Sequence, residues 1–435
     1  MKNSNDILII GAGITGLSAG IKGDCQIYEA SDISGGICSS YYLGIDGKKY
    51  NHRINEETYR FEIGGGHWIF GAEGEVLNFI EQISPIKKYE RDSAVYFPDL
   101  ELYVPYPLQN HLFYLPEEIK RKALDEILQS ENRNVTTMAE WLEICFGKTL
   151  CELFFFPFHE LYTAGLYKKI APQDRFKTPV KKELIIKGAN ERTPPIGYNA
   201  TFIYPKRGLD DLILKISDKC KIQYGKKVVE INTKNKEIIF QDGKGVKYRK
   251  LISTIPLNQL IEISKIEVDE TPPPYTSVLV INIGAKRGKR CPRYHWLYIP
   301  KSNAGFHRVG FYSNVDSSFL PLSSREDNDR VSIYVEIAYS KFNLPSGEMI
   351  KGILDSVVAE LQKWKFIESV DTVDTTWIEV AYTWSYPDSH WIEKAIKNLI
   401  DLDIHPVGRY GKWKFQGIAE SIKDGFTIVQ NLLGG

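Results

Sequence analysis

The chain has 435 residues, 43% of them hydrophobic and 25% charged, which suits a globular protein with ample material for a core. Lys plus Arg and Asp plus Glu both number 55, so no overall field favours nucleic acid or an anionic membrane, and any anion must be captured by local groups. No run approaches the roughly 18–20 apolar residues needed to span a bilayer, and the N-terminal MKNSN lacks the apolar stretch and cleavage site of a secretory signal. A cytoplasmic protein without a membrane span is therefore expected. Its six cysteines (Cys25, Cys38, Cys145, Cys151, Cys220 and Cys291) form no CxxC pair and no zinc-like spacing, so a reducing compartment and no metal are expected. The 25 tyrosines would suit either aromatic walls along a ligand groove or a Tyr-rich core.

In chain order, DILII at 6–10 reads as a buried parallel strand, followed by GAGITGLSAG with Gly11, Gly13 and Gly16 in GxGxxG spacing, then an apolar helix. Gly11 permits a tight turn, Gly13 lets the backbone approach a pyrophosphate, and Gly16 lets helix and strand pack closely. The helix N-terminus offers its free N–H groups and positive dipole end to the phosphates. The second strand, CQIYEAS, closes on Glu29. That is about the ~20-residue distance at which a carboxylate accepts hydrogen bonds from an adenosine ribose. Gly35 and Gly36 then make a second phosphate-facing turn, and FEIGGGHWIF sets Gly64, Gly65 and Gly66 before His67. Such a loop can lie flat against an isoalloxazine ring, or it is simply a glycine-rich hairpin turn. Together these features point to FAD.

From about 116 to 190 the pattern is helical, with a Pro–Glu–Glu start and Thr136 or Thr137 as a cap for the next helix. ATFIYPKRGLDDLILKIS reads as a return to the nucleotide domain through a strand, a turn at Gly208 and a helix. The segments 226–256 alternate like strands, with Val228–Val229 as a place for main-chain contact with the adenine. Strands are expected at 275–285, 293–312, 330–338 and 372–384, and helices at 348–364 and 419–433. The fold class is α/β: a doubly wound Rossmann-like FAD-binding domain with a helical insertion and an antiparallel-sheet substrate domain. The expected boundaries put the FAD-binding domain at 1–85, 199–256 and 396–435, the insertion at 86–198 and the substrate domain at 257–395.

The segments LYVPYPLQNHLFYLP, NATFIYPKRG, HWLYIPKSNAGFHRVGFYSN and GRYGKWKF, with GGGHWIF, resemble UDP-galactopyranose mutases of the longer, eukaryotic type. The PYPxQN and WLYxPxxNxxFxRxxxxSN strings are specific to that family. The nucleotide-binding start and the GRYGKW tail are shared with amine-oxidase and protoporphyrinogen-oxidase relatives. The resemblance implies an isomerase in which reduced flavin N5 attacks the anomeric carbon and displaces the nucleoside diphosphate. A flavin–sugar iminium then lets the sugar ring open and reclose, interconverting pyranose and furanose without net redox change. A net-redox flavoenzyme, of the amine-oxidase or protoporphyrinogen-oxidase type, is the other class the sequence allows.

Residue by residue, the resemblance implies His67 beside the flavin, Arg175 and Arg308 gripping the pyrophosphate, and Gly408 and Arg409 as further cofactor contacts. Tyr106, Gln109 and Asn110 match the aromatic and amide positions around the uracil, Asn199 a position near flavin and sugar, and Tyr386 a phosphate donor. A nucleotide-sugar partner follows, with homo-oligomerisation left open. The chain departs from the family at Thr163, where a Trp is expected, and at Val315, Phe415 and Ala419, where polar groups are expected. Loss of those groups implies a modified, for example deoxy, sugar.

Overall fold

The computed structural model describes residues 7–130, 134–173, 181–194, 200–340 and 344–434. Ile7–Ile10 is buried at all four positions because both faces of its sheet are covered. Ile7 and Ile9 join one core, and Leu8 and Ile10 another. The sheet is wholly parallel, in the order Lys221–Gln223, Gln26–Tyr28, Ile7–Ile10, Lys250–Ser253, Ile404–Pro406. On one face pack the helices Ile14–Gly23, Leu209–Ser217 and Ile418–Gly434. On the other lie the three-stranded meander 228–247 and the helices Leu257–Ile263 and Trp391–Ile400.

The second layer is a seven-stranded sheet ordered Ile367–Thr383, Tyr275–Arg287, Arg330–Ser340, Arg308–Phe311, Trp296–Tyr298, Ser93–Phe97, Leu102–Pro105. Every neighbouring pair is antiparallel except Trp296–Tyr298 against Ser93–Phe97. Along its longest pairing the alternation expected of a two-faced strand holds. Leu279, Ile281 and Ile283 pack under helix Gly347–Lys363, whereas Val278 and Val280 face the nucleotide-binding half.

Two differences from the expected boundaries stand out. Residues 93–105, assigned to the helical insertion, extend the large sheet instead. Thr201–Pro205, read as a return to the nucleotide domain, pairs antiparallel with Ile86–Glu90 and Ile69–Phe70, and only the helix after it joins the parallel sheet's layer. The helices Glu117–Gln129, Met138–Leu150, Phe156–Tyr162 and Lys182–Asn190 enclose a core of their own. Of the two candidate caps, Thr137 closes a capping box with Glu140: the Glu140 N–H donates to Thr137 Oγ1 (3.3 Å) and the Thr137 N–H to Glu140 Oε2 (3.0 Å). All six cysteines are free thiols, and no helix among the described residues is long and apolar enough to cross a membrane.

Candidate cofactor and substrate cavity

Between the carboxyl ends of the parallel strands and the large sheet lies a cavity of ≈ 640 Å³. Doubly wound sheets bind their ligands at that end of the strands. At its nucleotide end, the helix Ile14–Gly23 begins at Gly13 with no side-chain cap, leaving its first N–H groups for a ligand. Gly11 and Gly13 line the cavity, and Gly13 bridges to Gly35 of the second turn, where the Gly35 N–H donates to Ala12 O (2.8 Å). Gly16 sits so close beneath that a Cβ there would lie 1.9 Å from the Gly11 carbonyl oxygen. Glu29 turns its carboxylate inward, accepting from the N–H of Ala12 (2.6 Å) and of Ser31 (2.9 Å). Glu29 itself lines the cavity and keeps acceptor capacity beyond those two bonds, which suits ribose hydroxyls. A glycine-lined, uncapped helix start beside an oriented carboxylate fits the adenosine diphosphate portion of FAD.

In the middle, Gly64, Gly66 and His67 line the wall. Gly65 turns away at φ +78°, with its Cα against Glu336, as the 2.8 Å from an added Cβ to Glu336 Oε1 shows. The loop is tied down from behind: Asn282 Nδ2 donates to Glu62 O (3.1 Å), and Tyr204 OH donates to the buried Glu62 carboxyl. His67 folds over Gly64, and its Nδ1 has no hydrogen-bond partner among the described residues. Burial, then the nearby Arg409 cation, push its imidazole down to about 4, so His67 is neutral at physiological pH. Gly408 and Arg409 also line the cavity. Arg409 Nη2 donates to Ala381 O (2.8 Å), and its guanidinium lies 4.5 Å from the Phe415 ring centroid.

The far end is aromatic and cationic. Tyr106 and Tyr298 meet with ring centroids 4.4 Å apart, bringing the PYPLQN and WLYIP strings to one wall. Arg308 pairs across the antiparallel ladder with Tyr298 on one side and Glu336 on the other. Its Nη2 donates to Glu336 Oε1, while its Nε has no hydrogen-bond partner among the described residues. Glu336 is 1% exposed, and although burial opposes ionisation, the Arg308 and His307 side chains hold its carboxyl below the usual range. Arg91 completes this end, donating to Tyr106 O (3.2 Å) with its guanidinium 5.5 Å from the Tyr106 ring.

Other expected site residues lie elsewhere. Gln109 and Asn110 are buried in a short 3-10 turn under helix Lys182–Asn190, outside the residues lining the cavity. The backbone packs so tightly there that a Cβ on Gly188 would lie 1.9 Å from Asn110 O. Val229 sits at a bulge with its side chain exposed, and Tyr386 is partly buried; neither lines the cavity. Arg175 and Asn199 lie outside the described residues. Of the departures, only Phe415 lines the cavity. Val315 and Ala419 are core residues, and Thr163 is buried with its hydroxyl donating to His159 O (2.6 Å). Sequence reasoning passed over Glu336, Arg91, Tyr298 and Tyr382. For Glu336 a signal existed: a lone acid inside the otherwise uncharged run VSIYVEIAYS.

The sequence model of flavin-containing amine oxidoreductases matches residues 12–415, and the chain belongs to that family; its cofactor is FAD. Among solved structures it is similar to a reduced UDP-galactopyranose mutase, with a TM-score of 0.84 and 23% identity over 99% of this chain and 96% of that one. A CLA-producing fatty acid isomerase from P. acnes is also similar (TM-score 0.61, 14% identity, 99% of both chains). Putrescine oxidase bound to putrescine aligns over 99% of both chains at a TM-score of 0.59 and 14% identity.

Proposed function

We propose that this FAD enzyme is a nucleotide-sugar mutase, interconverting ring forms of a sugar attached to a pyrimidine nucleoside diphosphate without net redox change. The observation that carries the reading is the convergence of the two mutase-like strings on one wall. Tyr106 packs against Tyr298 with the rings tilted by 38°, and Arg308 lies across the ladder from Tyr298 with an Nε donor that has no partner among the described residues. An aromatic wall suits a flat base, and a guanidinium fork suits a diphosphate leaving group whose charge grows as the glycosidic bond breaks. Reduced FAD, when bound, supplies the nucleophilic centre for the anomeric carbon. Arg308 orients the diphosphate toward it, neutral His67 offers a proton-bearing or accepting nitrogen beside the ring, and the glycine loop leaves room for the flavin. The roles expected of Arg175 and Asn199 remain part of the proposal, whereas Gln109, Asn110 and Tyr386, which do not line the cavity, are left out of it.

Family membership favours a second reading, a net-redox flavoenzyme. The lining argues against an amine substrate for it. Near the sheet end the carboxylate is Glu336, already paired with Arg308, while Arg91, Arg308 and Arg409 would repel an ammonium.

With Val315 and Ala419 in the core, only Phe415 removes a polar partner from the cavity. A site that has lost a polar partner at its sugar-and-phosphate end gives up discrimination in favour of the fully hydroxylated substrate. Dithionite-reduced protein should therefore convert UDP-linked deoxy sugars to their ring isomers faster than UDP-galactopyranose, as read by anion-exchange chromatography. A panel of UDP-sugars that yields no ring isomer would overturn the mutase reading, and faster conversion of UDP-galactopyranose would overturn the role given to Phe415.

A further inference from the structure

His307 immediately precedes Arg308 and is 2% exposed. Its N–H donates to Glu336 O (3.1 Å), and its own carbonyl accepts from Ile299 N–H (2.9 Å), which fixes its main chain between the neighbouring segments. The imidazole Nε2 lies 3.4 Å from Glu336 Oε2. The same carboxylate accepts from Arg308 on its other oxygen, and Tyr382 OH is 3.5 Å from Oε2. From the helix Phe156–Tyr162, the rings of Tyr162 and Phe158 cover the imidazole at centroid distances of 5.3 and 6.1 Å. The next titratable group on that helix, His159, places its Nδ1 2.7 Å from Phe155 O. The groups facing His307 are thus Glu336 and Tyr382 from the sheet, Arg308 from its own strand, and Tyr162 from the helix.

One buried carboxylate therefore stands between a permanent cation and a conditional one. While Arg308 serves Glu336, the pair is neutral, and burial holds the His307 imidazole uncharged. A diphosphate that draws Arg308 toward itself weakens the Arg308–Glu336 pairing and adds negative charge to the same region. A buried carboxylate deprived of its cation is strongly disfavoured unless another replaces it.

We propose that occupation of this end of the cavity by a diphosphate puts a proton on His307, which then takes over Glu336 as Arg308 turns to the phosphates. The proton comes from solvent, and no covalent bond changes. The proposal rests on the nucleotide-sugar reading. A group that binds its proton more tightly in the liganded state takes up a proton on binding, so affinity rises as pH falls through the window between its two pKa values.

The probe is UDP-glucose with the oxidised holoenzyme, because a diphosphate diester does not itself titrate in this range. Between about pH 8 and about pH 5.5, affinity should rise about three- to tenfold, with a fraction of a proton taken up. Proton uptake is read calorimetrically in buffers of different ionisation enthalpy. His307→Gln should bind UDP-glucose with little pH dependence and no uptake. PH-independent binding by the wild type, or the same slope in His307→Gln, overturns the proton linkage and leaves the nucleotide-sugar reading intact. No binding of UDP-glucose at any pH overturns both.

Discussion

Arg308 and Glu336 illustrate how one side chain serves chemistry and fold at once. The guanidinium is 21% exposed toward the cavity, while the carboxylate it holds is 2% exposed at the side chain. Arg308→Ala should lower turnover of a nucleotide-sugar by ~10²–10³-fold, equivalent to about 3–4 kcal/mol, because a charge-assisted contact to the leaving diphosphate is lost. Above the pH at which His307 takes a proton, it should also destabilise the fold by up to about 3–5 kcal/mol, because Glu336 is then left buried without a cation. Adding Glu336→Gln should recover most of the stability and none of the turnover. Thermal unfolding and a rate measurement on the same two proteins check this, with the flavin spectrum as a control. A single variant that unfolds like wild type would mean that the buried pair contributes little. Near wild-type turnover would take Arg308 out of the chemistry. Arg308 was legible in the sequence because GFHR lies inside a long matching string, whereas its partner arrives from a strand 28 residues later whose pairing no local pattern specifies.

At the scale of elements, the strand–glycine–helix unit was the most legible, since Gly11, Gly13 and Gly16 each answer a local steric demand. The structure separates those demands. An added Cβ at Gly16 would lie 1.9 Å from the Gly11 carbonyl oxygen, whereas one at Gly13 would meet nothing within 4 Å. Gly16→Ala should therefore disturb the fold itself, lowering the melting temperature even of flavin-free protein. Gly13→Ala should fold normally but purify with little FAD, because its methyl occupies space left for the pyrophosphate. Comparing the flavin-to-protein absorbance ratio and the melting temperature of both variants decides the point. Equal FAD retention by Gly13→Ala and wild type would contradict the pyrophosphate placement. The PYPLQN string shows the opposite outcome: only Tyr106 reaches the cavity, and Gln109 and Asn110 turn inward beneath helix Lys182–Asn190. Which face of a short turn meets ligand depends on a helix about 75 residues later in the chain, and composition is silent on it.

Across the whole molecule, the two sheets meet where neither could build a site alone. The parallel sheet supplies an uncapped helix N-terminus and Glu29, and the large sheet supplies Tyr298, Arg308, Glu336 and Tyr382. The alternation of architectures along the chain was readable, because apolar runs, helical periodicity and strand alternation differ locally. The parallel pairing of Trp296–Tyr298 with Ser93–Phe97 was not, since it joins segments some 200 residues apart through hydrogen bonds that any extended backbone can make.

The whole cavity has one use that separates the two functional readings. A mutase returns the flavin to its starting state after each cycle, whereas an oxidoreductase must pass its electrons on. The direct test is an anaerobic reaction of the reduced holoenzyme with excess nucleotide-sugar, following the flavin's visible absorbance while product is counted. A mutase yields many product molecules per flavin with the flavin reduced throughout, and that is the result expected. Flavin reoxidation matched one-for-one by a reduced product would contradict it.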